Sequence, residues 1–136
     1  MIIYIDENMP PALAKGLHVL QKPLNVKLRE AIDVRSLTDD FGRGVKDEEW
    51  IPLAGEKEAC IITQDFNIQK NRIQQALFHE YELGIFFFRA PSKSGFSYWE
   101  MVKLVTKHWE NMTRIALTEK RPFSYRVSSK GKLEKI

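Results

Sequence analysis

The sequence lacks the features that define several common classes of protein. Its 136 residues include one cysteine, so the chain can form no internal disulfide. No segment approaches the roughly 20 consecutive apolar residues that a membrane-spanning helix needs. Acidic residues follow soon after the N-terminus, and no basic region precedes an apolar stretch there, so we expect no secretory signal. These absences predict a cytoplasmic protein.

Residues at the spacing of a zinc site are also missing. The three histidines, His18, His79 and His108, are far apart and fall in predicted helices. The single cysteine, Cys60, lies in an apolar run and is expected to be a buried hydrophobic residue. Because zinc sites combine closely spaced cysteine and histidine ligands, we do not expect zinc.

What the chain does contain is an apolar content of 43%, which is sufficient for a hydrophobic core. The formal net charge of +3 is compatible with a polyanionic partner but does not require one. The length suits one domain. We therefore predict a single domain over residues 1–136, in which residues 119–136 form a C-terminal edge strand and a basic tail.

Short apolar runs alternate with segments of helical periodicity. The runs are typical of strands buried on both faces of a parallel sheet, and they lie at residues 1–5, 59–63 and 85–88. The helical patterns cover residues 10–20, 47–57, 67–82 and 96–118. Residues 25–28 and 31–35 could each hold a further short strand, and residues 37–46 are predicted to be a loop. This order predicts an α/β sandwich with a central, mainly parallel sheet.

Apolar spacing also predicts which faces of two helices are buried. In the longest helix, a stripe at intervals of three and four is expected to pack in the core; it consists of Trp99, Val102, Val105, Trp109, Met112 and Ala116. In the helix at 67–82, the expected inner face consists of Ile68, Ile73, Ala76 and Leu77. Gly84 is expected to end that helix.

Acidic residues follow the ends of two of the apolar strands. Asp6 follows the first strand, Asp65 follows the strand at 59–63, and Asp47 and Glu48 begin the helix between them. Sites in open parallel sheets form beyond the carboxyl ends of the strands. Each acid alone is more simply interpreted as a helix cap. Taken together, their placement makes one shared site as good an interpretation as separate caps, provided that the loop at 37–46 returns across this edge of the sheet.

Three or four carboxylates in one place would repel one another and raise each other's pKa unless a cation lay among them. All the candidate ligands are oxygens, which indicates a hard divalent ion, Mg²⁺ or Mn²⁺. Such ions can promote the hydrolysis of a phosphodiester.

Four segments of the chain carry a resemblance to a known family. They are the sequences IDENMP at 5–10, GVKDEEW at 44–50, IITQDF at 61–66 and GIFFFR at 84–89. In this order they resemble the PIN-like nucleases, in particular the compact group that opens with a strand followed by Asp-Glu-Asn and proline. The resemblance spans residues 1 to about 90, and the remaining long helix is similar to that of toxin-type PIN-like domains.

The resemblance implies a three-layer sandwich and metal-dependent hydrolysis of RNA, often as the toxin of a toxin–antitoxin pair. It implies that Asp6 and Asp65 are the first and third acids of the site, and that Asp47 or Glu48 is the acid between them. The chain departs from the family at Asn67, which occupies the place of a common fourth acid. The resemblance implies an antitoxin protein as the partner. The sequence leaves open whether the chain also forms a homodimer.

Basic residues near the proposed edge are candidates for contacts with RNA phosphates. They are Arg43, Lys46, Lys70, Arg72 and Arg89. Such contacts would make binding dependent on salt without selecting a sequence, although a solvated face is an equally good interpretation of each residue. Trp50 and Phe66 adjoin the acids and could stack on bases, but packing in the core is the favoured interpretation.

Two other functions are compatible with the pattern. A PIN-like module that binds RNA or protein without catalysis is favoured by Asn67, which brings no charge to the site. A receiver-like signalling domain would also place acids at strand ends, and Asp6 and Glu7 could mimic its acidic pair. Such domains need a lysine after a late strand, where this chain has Arg89, so this reading is disfavoured.

Overall fold

In a computed structural model, residues 1–65, 68–128 and 130–136 are described, with the backbone alone for residue 65 and for residues 68–71. The strands β1 to β6 span Ile2–Ile5, Asp33–Ser36, Cys60–Asp65, Gly84–Arg89, Phe123–Val127 and Leu133–Lys135. The helices α1 to α5 span Pro11–Asn25, Leu37–Phe41, Asp47–Glu56, Ile68–Glu80 and Tyr98–Thr118.

The described strands form one mixed sheet with the order β2-β1-β3-β4-β5-β6. The first five strands in this order are parallel, and β6 pairs antiparallel with β5 at the edge. Helices cover both faces of the sheet, so the predicted α/β sandwich with a mainly parallel sheet is confirmed. None of the described helices combines the length and the apolar character that would let it cross a membrane.

The apolar strands are continuous because both faces of the sheet are buried. Ile5 and Ile62 face α1 and α5 in one core, whereas Tyr4, Ile61 and Phe87 face α3 and α4 in the other. Successive side chains of a strand point to opposite faces, so each run supplies both cores in turn. The alternation also determines which residues at the strand ends face each layer.

The structure decides where the short second strand lies and corrects two predicted boundaries. Of the two segments that could hold this strand, the one at 31–35 is confirmed, as Asp33–Ser36, whereas residues 25–28 lie at the end of α1 and in the turn after it. The segment at 37–46 begins with a short helix, α2. Gly84 is the first residue of β4, and Glu82, at a φ of 56°, makes the turn after α4.

Two predicted helix faces are wrong at some of their positions. Trp99 is 66% exposed, because it lies two positions before the buried Met101 and therefore on nearly the opposite side of α5. In α4, Ile73 is 72% exposed and Ala76 is also exposed, whereas the predicted Leu77 does pack against the core beside the buried Phe78. The side chain of Ile68 lies outside the described atoms. The other predicted members of the α5 face are confirmed: Val102 is partly buried against the core, and Val105, Trp109, Met112 and Ala116 are buried.

A polar tether fixes α2 against the sheet. The buried Tyr4 hydroxyl donates to Asp40 Oδ2 at 2.8 Å, and the guanidinium of Arg35 donates to both oxygens of the same carboxylate. The guanidinium holds the pKa of Asp40 below its usual range, and burial and the bond to Asp40 raise the pKa of Tyr4. Because α2 begins the connection to α3, this tether helps to position the residues that follow it.

Candidate functional site

A cavity of about 140 Å³ opens at the carboxyl end of β1. Its polar lining includes Asp6, Glu7, Asn8, Asp47 and Gln74, and no lysine or arginine is among the described residues that line it. We refer to it as the acidic cavity. The loop after α2 therefore does bring the start of α3 to the carboxyl edge of the sheet.

Asp6 is held in place by two donors. The hydroxyl of Thr63, on the neighbouring strand β3, donates to Asp6 Oδ2 at 2.6 Å, and the backbone N–H of Glu7 donates to Asp6 Oδ1 at 2.8 Å. Burial raises the pKa of Asp6; these two hydrogen bonds oppose the increase, and the charges of Glu7 and Asp47 add to it. The carboxylate is thus oriented, and the part of the cavity lining that the structure describes offers it no compensating cation.

Asp47 is the first residue of α3 but does not cap it. Lys46 occupies the N-cap position without a side-chain hydrogen bond, which corrects the interpretation of Asp47 as a possible cap. The indole N–H of Trp50 and the amide of Gln74 instead donate to Asp47 Oδ1, at 3.0 Å and 3.4 Å. Both donors use the same oxygen, so Oδ2 of Asp47 accepts no hydrogen bond from the side chains that the structure describes.

Two further contacts close the acidic cavity. The backbone N–H of Gly44 donates to Glu7 Oε2 at 3.1 Å and thereby draws the loop before α3 towards the end of β1. Asn8 and Gln64 exchange hydrogen bonds between their side-chain amides and each other's backbone carbonyls, at 3.3 Å and 3.0 Å. The ends of β1 and β3 are therefore joined around the cavity.

The order of these elements agrees with a family of known domains. The model of a protein family described as a PIN like domain matches residues 1–90, which cover all the elements from β1 to β4. The chain belongs to the PIN-like domain family. No curated protein and no solved structure matches the chain.

The acidic cavity of this PIN-like domain suits a hard divalent cation. Within the described side chains, no three residues of the His, Cys, Asp and Glu types come together as a metal site. Asp6 and Asp47 nevertheless line one cavity, and the ligand atoms that they offer are oxygens. Asp65 is the last residue of β3, two positions after Thr63, and its side chain lies outside the described atoms.

The other predicted residues have different positions in the PIN-like domain. Glu48 is exposed and does not line the acidic cavity, so Asp47 is the residue of this pair that joins Asp6. Lys46, Arg43 and Arg72 are exposed on the loop before α3, or on α4. Arg89 is exposed at the end of β4, where the backbone register places it opposite Asp65.

Besides Asp65, three predicted site residues cannot be placed in full. Asn67 and Phe66 lie outside the described residues, and of Lys70 only the backbone in α4 is described. Trp50 is 5% exposed and packs between Phe41 and Phe78, so its assignment to the core is confirmed.

Sequence reasoning missed the side chains that orient the two carboxylates. Thr63 carried a usable signal, because it is a polar residue within the apolar run that leads to Asp65. Gln74 carried none, since its contact with Asp47 depends on how α3 packs against α4. Thr63 is therefore a candidate positioning residue for this PIN-like domain.

Replacing Thr63 by valine is expected to raise the pKa of Asp6 further, because the hydroxyl that stabilises the ionised form is lost. Mn²⁺ affinity should fall by about tenfold, as is common when a ligand loses its supporting hydrogen bond. Carboxyl titration by NMR in chelator and Mn²⁺ titration by calorimetry measure the two effects. Thr113→Val removes another buried hydroxyl, on α5, and should change neither.

Proposed function

We propose that this PIN-like domain is a metal-dependent ribonuclease that hydrolyses phosphodiester bonds in RNA. The observation that supports this most directly is the pair of oriented carboxylates, Asp6 and Asp47, which line one cavity together. Family membership suggests a nuclease. Because the long helix is similar to that of toxin-type PIN-like domains, we extend the proposal to a toxin that a protein antitoxin holds inactive.

The ligand set that we propose consists of Asp6, Asp47 and Asp65, with the amide oxygen of Asn67 as a neutral addition. Asp65 belongs to this set because it follows Thr63 at the period-two interval of a strand. A Mg²⁺ or Mn²⁺ ion held there would supply Lewis acidity towards the scissile phosphate and would lower the pKa of a water.

The residues of the chain would orient the reactants. Asp47 Oδ2 has no described donor and is suited to accept a hydrogen bond, and then a proton, from the attacking water. The water oxygen forms a bond to phosphorus as the bond from phosphorus to the leaving nucleotide oxygen breaks. Basic residues near this edge would hold the flanking phosphates. Four of them are exposed, Arg43, Lys46, Arg72 and Arg89, and Lys70 is included in the proposal from its place in the sequence.

The direct test is to incubate single-stranded RNA with the protein in Mn²⁺ and in excess chelator. Cleavage in Mn²⁺ that stops in chelator is expected. A module that binds RNA without catalysis is the alternative that the uncharged Asn67 favours. RNA binding that is insensitive to chelator, with no cleavage at any Mn²⁺ concentration, would establish that alternative and refute the nuclease.

The neighbouring acids Asp47 and Glu48 offer a matched pair of variants. Asp47→Asn should lower the cleavage rate by roughly 10- to 100-fold, because one oriented carboxylate of the cavity becomes neutral. Glu48→Gln removes the same charge from an exposed position and should leave the rate unchanged. Initial rates on one labelled RNA measure both, and equal losses would show that only the local charge matters.

A further inference from the structure

A second and larger cavity adjoins the acidic cavity. It has a volume of about 440 Å³ and lies between the end of β1, the start of α1 and the segment from β2 to the loop after α2. Asp6 and Glu7 line both cavities. We call it the α1 cleft. A ligand bound there would lie directly beside the carboxylates proposed to act on RNA.

The floor of the α1 cleft is apolar and its volume suits a nucleotide. Ile5, Met9 and Ala14 are each at most 3% exposed and contribute to the lining together with Pro10 and Pro11. Ligand pockets are commonly about 300–1,000 Å³ and combine an apolar surface with a few polar groups. A planar base can pack on such an apolar surface. Because a divalent ion or a free phosphate does not need an apolar surface, this floor favours a nucleotide as the ligand.

The rim of the α1 cleft carries charges that have no described partner. Lys15 on α1 and Arg43 on the loop are exposed cations, and Asp39 on α2 is an exposed carboxylate. None of the three forms an ion pair with another described residue, whereas Asp40, next to Asp39, is held by Arg35. Two cations and one acceptor suit a ligand that has both an anionic group and N–H donors.

The elements that carry these charges are fixed to the sheet. Glu7 Oε2 accepts the N–H of Gly44, which is adjacent to Arg43. The tether from Tyr4 and Arg35 to Asp40 holds the helix on which Asp39 lies. Side chains on positioned backbone lose less freedom when a ligand binds, so the cleft is partly preorganised.

We infer that the α1 cleft is a nucleotide subsite, in which Lys15 and Arg43 contact the phosphate and Asp39 accepts hydrogen bonds from the base. Among the four RNA bases, only guanine presents two adjacent N–H donors, N1–H and the N2 amino group, and these match a carboxylate. The subsite therefore selects guanine next to the scissile phosphate. This assignment depends on the proposed function only in taking RNA as the substrate.

The test uses the full chain in excess chelator, so that binding is measured without cleavage. The four nucleoside 5′-monophosphates and inorganic phosphate are titrated while backbone amide shifts are recorded by NMR. GMP should bind about tenfold more tightly than AMP, CMP or UMP, which is the lower range for one well-placed bidentate contact. The shifts should concentrate in β1, the start of α1 and α2.

Three variants separate the parts of the subsite. Lys15→Ala should weaken the binding of all four nucleotides severalfold, whereas Lys22→Ala, an exposed lysine on the same helix outside the cleft, should not. Asp39→Asn should reduce GMP binding to the level of AMP and leave AMP binding unchanged. Circular dichroism of each variant confirms that the fold is retained.

Equal binding of the four nucleotides, equal binding of inorganic phosphate and GMP, or an unchanged GMP preference in Asp39→Asn would overturn the assignment. Cleavage of RNA in Mn²⁺ without a preference for guanine would refute the subsite but leave the ribonuclease intact. Binding of GMP as expected, without cleavage in Mn²⁺, would refute the ribonuclease and leave the subsite intact.

Discussion

The variant Asp6→Asn is expected to lose RNA cleavage by roughly a thousandfold or more, since a divalent ion contributes several kcal/mol to such a reaction and each 1.36 kcal/mol corresponds to tenfold. Asp6 lines both the acidic cavity and the α1 cleft, and Thr63 and the N–H of Glu7 orient its two oxygens. The amide keeps the shape of the side chain but removes its charge. Single-turnover rates at saturating Mn²⁺ measure the loss.

The same substitution should stabilise the metal-free fold. Burial holds the pKa of Asp6 above its usual value, so the ionised carboxylate lowers the free energy of unfolding at pH values above that pKa. Asparagine removes this cost at neutral pH. The difference should disappear below the pKa of the unfolded state, near pH 3, where the carboxyl group is protonated in both states.

Urea unfolding in chelator at neutral and acidic pH measures this difference. A variant that is less active and also less stable at neutral pH would show that Asp6 acts as a structural residue. A variant that is inactive and more stable supports a carboxylate retained for its function. Addition of Mn²⁺ should reverse the order, because the ion stabilises only a protein that can bind it.

The substitution Gly55→Ala is expected to destabilise the protein, although it replaces a glycine within a helix. An added Cβ at Gly55 would lie 2.7 Å from the backbone oxygen of Tyr81 and 3.0 Å from its Cβ. Relief of such overlap typically costs about 1–3 kcal/mol, which exceeds the gain of about 1 kcal/mol in helix propensity. The contact exists because α3 packs closely against the end of α4.

Gly16 provides the matched control. It also lies within a helix, α1, and an added Cβ there would have no neighbour within 4 Å. Gly16→Ala should therefore raise the free energy of unfolding by about 0.5–1 kcal/mol. Urea midpoints of the two variants should move in opposite directions, and a stabilised Gly55→Ala would contradict the close approach of the two helices.

The strands were predictable because burial on both faces leaves a simple signal. The runs that became β1, β3 and β4 are apolar at nearly every position, so no choice of face was needed to find them. Helix α2 was missed because its five residues are too few to establish a period. Trp99 was assigned to the core because apolar spacing alone does not determine which of two overlapping stripes faces the sheet.

For the site, the sequence predicted which strand ends lie there but not how the side chains are arranged around it. Asp6 follows an apolar run, and its position follows from the end of β1. The choice between Asp47 and Glu48 depended on whether α3 begins at one residue or the next, and sequence patterns rarely fix a helix boundary that closely. The bonds from Trp50 and Gln74 to Asp47 arise from packing between helices and leave no local pattern.

The two edge strands of the sheet have a consequence for how molecules of this protein meet. β2 has four residues and includes Asp33 and Arg35, and β6 has three and includes Glu134 and Lys135. Short strands with charged side chains are poor templates for a further strand, so stacking of sheets edge to edge is disfavoured. At high concentration, these charged edges should protect the chain against growth into extended β-aggregates.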